Sequence, residues 1–122
     1  MGRIYLKVSV VYFSIGVLLG LTMGIIHDFR LTSVHAHLNL LGWVSMALFG
    51  LIYHFYPSAA NTQIAKLQFW LHNIGVPVMM TAIGIQIWTG EATLVSVAVI
   101  GSILVVIGVL LFALNLFKQV DS

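Results

Sequence analysis

The sequence predicts an all-α membrane protein, a single up-down bundle of four transmembrane helices. Of its 122 residues, 61% are hydrophobic and 7% are charged, whereas roughly a quarter of a soluble domain is charged. The apolar residues fall into four runs, each close to the ~20 residues that cross a hydrocarbon core ~30 Å thick. Short polar turns separate the runs, and the four spans use almost the whole length, which leaves no room for a separate soluble domain.

The first helix is expected over about 4–26. Its apolar run is too long for a secretory signal, and no small-x-small cleavage site follows it. Gly16, Gly20 and Gly24 line one face, with His27 continuing it. Such a ladder lets a neighbouring helix approach closely, or makes room for a flat cofactor. The short loop from Asp28 to Ser33 makes the first two helices antiparallel neighbours. The second helix is expected over about 34–56, stopping at Pro57.

The third helix, about 64–88, carries His72-Asn73 and then Pro77, whose ring removes one backbone hydrogen bond and predicts a kink beside His72. Gly90-Glu91 turns the chain into the fourth helix, about 93–117. Cysteine is absent, which excludes disulfides, thiolate metal sites and cysteine nucleophiles. Any metal would rest on His, Met or carboxylate ligands.

Arg3, Lys7, Lys66 and Lys118 fall on one side of this serpentine and Arg30 on the other. The positive-inside rule then places both termini and the 58–63 turn in the cytoplasm, here that of a bacterial inner membrane. The formal charge of +2 is too small and too scattered to suggest nucleic acid.

His27, His35 and His37 fall at the outer end. His54 lies 19 residues past His35, ~28 Å deeper, and joins Tyr53, Phe55 and Tyr56 in an interfacial aromatic belt. His72 lies 16 residues before Trp88, ~24 Å below the outer end. An intramembrane histidine is costly and calls for a function or a buried hydrogen bond.

At 100° per residue, His35 shares a face with Asn39, Gly42, Met46, Gly50 and Tyr53, a small and polar stripe that suits protein contact. His37 points about 200° away, toward Leu41, Val44, Leu48, Leu51 and Phe55. That face suits lipid, so His37 needs the headgroups, a cofactor or another subunit to cover it. Met46, Met79 and Met80 are expected to pack rather than to ligate.

His35-Ala36-His37, Phe49-Gly50, Tyr53 and Phe55-Tyr56-Pro57 together resemble the tenth helix of subunit I of the heme-copper oxidases. Phe69-Trp70-Leu71 with Ile74-Gly75-Val76 is similar to the following helix, and Gly101 through Lys118 to the last one. The whole chain thus resembles the last four of twelve helices. In that family the first histidine of the pair ligates a high-spin heme and the second a low-spin heme, on opposite faces of one helix. The resemblance therefore implies heme ligation by His35 and His37, and by no other residue. The helix that supplies the other low-spin ligand, the copper-ligating histidines and the cross-linked tyrosine have no counterparts, so oxygen reduction by this chain alone is not expected.

Two functions follow as expectations. One is a heme-b protein for electron transfer or small-gas sensing, with His35 or His37 on iron. Its second axial ligand comes from His27, His72 or a neighbouring subunit, in a homo-oligomer or a larger membrane complex. The other is a copper or zinc site built from His27, Asp28, His35 and His37, or an accessory subunit with no cofactor. Catalysis beyond electron transfer has no support, because no nucleophile triad, carboxylate pair or phosphate-binding loop is present.

Overall fold

The computed structural model describes residues 1–120. Its helices are α1 (Gly2–Ile26), α2 (Thr32–Phe55), α3 (Pro57–Ala60), α4 (Gln63–Thr89) and α5 (Thr93–Gln119). No strand occurs among the described residues. α1, α2, α4 and α5 are long and apolar enough to span a bilayer. The chain is an all-α, multi-pass four-helix bundle, with spans that begin and end within two residues of the expected limits.

Local chemistry sets the helix ends. α1 stops at His27, whose left-handed backbone (φ 55, ψ 37) turns its N–H back to the Met23 carbonyl. This is the conformation that commonly closes helices. Pro57 opens α3 at a position where the missing N–H costs nothing. Thr62 caps α4, its hydroxyl accepting from the Ala65 N–H at 3.0 Å. Gly90, at φ 75, closes α4, which stays helical through Pro77.

The π-helical stretch Leu38–Val44 inside α2 is absent from the sequence expectation. The hydroxyl of Ser45, just after it, donates back to the Leu40 carbonyl at 2.7 Å, and within it the Leu41 carbonyl accepts from His72 of α4 at 2.8 Å. A side chain reaching into a helix's carbonyl ladder is one way such a local widening is held.

α1 packs on α2 and α4 on α5 as two hairpins. In the second hairpin, a Cβ on Gly101 would lie 2.7 Å from the Met79 backbone nitrogen and 3.0 Å from the Gly75 carbonyl. Only hydrogen there lets the two backbones meet, the usual use of small residues between membrane helices. The hairpins join through aromatic side chains. The Tyr5 and Phe69 ring centroids are 5.1 Å apart, and those of Phe49 and Phe112 are 4.6 Å apart. A second cluster, Leu38, Val76, Met79, Met80 and Val105, fills the other half.

Leu18, Leu21 and Ile25 of α1, and Ile103, Val106 and Leu110 of α5, are exposed. These are apolar surfaces for lipid.

Gly101→Ala should therefore lower unfolding stability in detergent by about 1–3 kcal/mol, the usual cost of overpacking. Gly24→Ala, where an added Cβ meets nothing within 4 Å, should change it by less than ~0.5 kcal/mol. Equal effects of the two substitutions would contradict the close α4–α5 contact.

Candidate functional site

The five histidines fall into separate environments. His27 is exposed at the end of α1. Beside it, Asp28 is engaged by Arg30, whose Nε lies 3.0 and 3.1 Å from the two carboxylate oxygens and whose Nη2 lies 2.6 Å from one of them. The Arg30 guanidinium also lies 4.1 Å over the Trp88 ring of α4. Hydrogen bonding from Arg30 holds the Asp28 carboxyl below the usual carboxylate range. Among the described residues, no three His, Asp or Glu side chains gather closely enough to hold one metal ion. His27, Asp28, His35 and His37 are accordingly not brought together.

His35 turns toward α1. A Cβ on Gly20 would lie 2.8 Å from the His35 Cε1 atom, and one on Gly16 would lie 2.7 Å from the Asn39 side-chain oxygen. Two rungs of the glycine ladder thus receive polar side chains of α2, and Gly24 faces open space. The Asn39 amide donates to the His35 carbonyl at 3.0 Å and flanks the His35 ring. Gly42, Met46, Gly50 and Tyr53 on the same face are buried, as the helical spacing predicts.

His37 faces the other way. Val44, Leu48, Leu51 and Phe55 of its face are exposed, as expected for lipid. His37 and Leu41 themselves are half-buried, because α4 and α5 come alongside them. His37, Leu41, Met79, Ser102, Val105 and Leu110 are among the walls of an open crevice of about 370 Å³.

The His37 Nδ1 lies 2.7 Å from the Ser33 carbonyl oxygen. A carbonyl only accepts, so Nδ1 carries a proton, and in the neutral ring the lone pair is on Nε2. A backbone carbonyl on one ring nitrogen is the arrangement that orients an imidazole for ligation through the other.

His72 is fully buried. Its Nε2–H donates to the Leu41 carbonyl at 2.8 Å, and its ring stands edge-on to Phe49 at 5.0 Å. Its Nδ1 has no hydrogen-bond partner among the described residues. The ring spans the two hairpins and forms no part of the crevice wall.

The sequence reading did not anticipate a polar network near the end where α1 begins. The Tyr5 and Tyr53 hydroxyls both donate to Gln68 Oε1, at 2.8 and 3.1 Å. The Asn115 amide donates to the Ala59 carbonyl at 2.9 Å and receives the Thr62 hydroxyl at 3.0 Å. It also lies 3.4 Å from the Tyr53 hydroxyl. Two side-chain amides inside apolar runs, Gln68 and Asn115, were the available signal, because such groups need partners within a membrane. His54 is exposed, its ring edge-on to Phe55 at 5.5 Å.

Comparison with family models, curated proteins and solved structures returned no match for this chain.

His72→Leu should lower stability in detergent by about 0.5–2 kcal/mol through loss of the bond to Leu41. His37→Ala, whose hydrogen bond is local, should leave unfolding nearly unchanged. Equal losses would contradict the separation of a structural from a free imidazole. Because the folded-state value of Asp28 is depressed, the contribution of its pair with Arg30 is present above about pH 3.9. It is lost as pH falls through the folded value below that. A carboxyl NMR titration should show the Asp28 midpoint below ~3.9, and Arg30→Gln should return it toward that value.

Proposed function

We propose that this chain is a membrane heme-b protein in which His37 holds the iron, serving electron transfer or the sensing of a small diatomic gas. The observation that carries this reading is the His37 imidazole itself. Its Nδ1–H is tied to the Ser33 carbonyl at 2.7 Å and its Nε2 is free, beside an apolar crevice. The resemblance of His35-Ala36-His37 to a heme-ligating helix supports the same assignment.

The residues fit such a group in two respects. The imidazole has the tautomer that ligation needs. The crevice walls are largely apolar, as cofactor sites usually are, and its volume of about 370 Å³ lies at the small end of the ~300–1,000 Å³ of ligand pockets. His35, seated against Gly20, is assigned to α1–α2 packing, and His72 to the bond with Leu41.

Heme would supply a reversible one-electron couple or an iron position for a gas. His37 would hold the group through an imidazole oriented by the Ser33 carbonyl, and the apolar walls would exclude water. The open side of the crevice favours a homo-oligomer, in which a second copy completes the cover. With both termini in the cytoplasm of a bacterial inner membrane, His37 lies toward the outer leaflet.

Hemin added to the purified protein should give a Soret band that His37→Ala removes and His54→Ala keeps. Loss of the band on carbon monoxide addition after reduction, replaced by a shifted one, indicates the gas-binding form. An unchanged reduced spectrum indicates two strong axial ligands and electron transfer. No band in the wild-type protein would sink the heme reading and leave a cofactor-free membrane subunit.

A further inference from the structure

A second cavity, of about 420 Å³, lies at the opposite end of the bundle, where α1 begins and α2 runs into α3. Arg3, Tyr53, His54, Pro57 and Asn61 are among its walls. The His37 crevice and the remaining grooves are overwhelmingly apolar, whereas polar surface predominates here.

Among the described residues, the wall contains no carboxylate. Among the described residues, the Asp28–Arg30 pair is the one salt bridge, so Arg3 has no acidic partner there. Of the three acids, Asp28 and Glu91 occupy the turns at the far end of the bundle, and Asp121 lies outside the described residues.

Depth decides what such a cavity meets. Arg3 is at the start of one spanning helix and His54 at the finish of the next, so the cavity opens at the level of the headgroups. At the same depth, Ile4, Leu51 and Phe55 are exposed apolar side chains, which suit acyl chains. Basic pockets between membrane helices at this level bind anionic headgroups. An Arg guanidinium offers paired N–H donors to a phosphate, and the Asn61 amide and His54 ring offer further donors.

We propose that the cavity formed by Arg3, His54 and Asn61 is a binding site for the phosphate of an anionic phospholipid. The phosphate sits against the Arg3 guanidinium, and the acyl chains run along the exposed faces of α1 and α2. The site is independent of the heme assignment, since its residues share nothing with the His37 crevice.

The test uses the full chain in phosphatidylcholine vesicles that contain a minor fraction of phosphatidylglycerol. Spin-labelled versions of the two lipids report which one the protein holds. Phosphatidylglycerol should be preferred. Arg3→Gln should lower that preference about five-fold, the step carried by one basic residue at a membrane surface. Lys118→Gln, at the same end but outside the cavity, should leave it unchanged. His54→Gln tests the second wall.

Equal preference in wild type and Arg3→Gln overturns the proposal, as does an equal drop in Lys118→Gln, which indicates diffuse attraction. Displacement of the labelled lipid by millimolar inorganic phosphate also overturns it, in favour of a free-anion site. Exposed Arg3 makes folding insensitive to its replacement, and an unchanged helical circular-dichroism spectrum checks this.

Discussion

Two side chains one turn apart on α4, Gln68 and His72, hold the two hairpins together. Gln68 accepts the hydroxyls of Tyr5 from α1 and Tyr53 from α2, and His72 donates to the Leu41 carbonyl of α2. Inside a bilayer no water competes for these bonds, which are made within the protein, while Gln68 Nε2 and His72 Nδ1 have no partner among the described residues. Apolar contact alone gives little preference for protein over lipid, since acyl chains are as apolar as leucine. Directional bonds at these points set how the α1–α2 hairpin sits on α4.

The same bond shapes the neighbourhood of the crevice. Leu41 gives its carbonyl to His72 within the π-helical stretch, and its side chain stands beside His37 on the crevice wall. The widened stretch therefore lies between the inter-hairpin contact and the free imidazole. Its position fits the recurrence of π-helical turns near functional sites. His35, two residues before His37, is fastened on the α1 side by Gly20 and Asn39. One histidine of the pair packs the hairpin, and the other is bonded only within its own helix.

The two ends of the bundle handle charge differently. At one, Arg30 is held by Asp28 and by the Trp88 ring, which ties the α1–α2 turn to α4. At the other, Arg3 stands in a polar cavity whose wall, among the described residues, has no acid. An arginine paired in this way loses much of its attraction for anions, whereas one without a carboxylate keeps it.

Composition and apolar run length alone determined the all-α class, the four spans and their limits to within two residues, because membrane thickness fixes helix length. The 100° rule also separated His35 from His37 and marked Gly42, Met46, Gly50 and Tyr53 as protein-facing. What only the tertiary structure decided are the pairings. Leu41 and His72 are 31 residues apart, and Tyr5 and Gln68 are 63 apart, distances over which helical periodicity carries no information. The ladder Gly16-Gly20-Gly24 stood out in sequence, yet Gly101, against the Met79 backbone, makes the tightest backbone contact described. That contact depends on which faces of α4 and α5 meet. The surroundings of His37 are also decided there, since its helical position predicts lipid and the approach of α4 and α5 replaces lipid with a crevice.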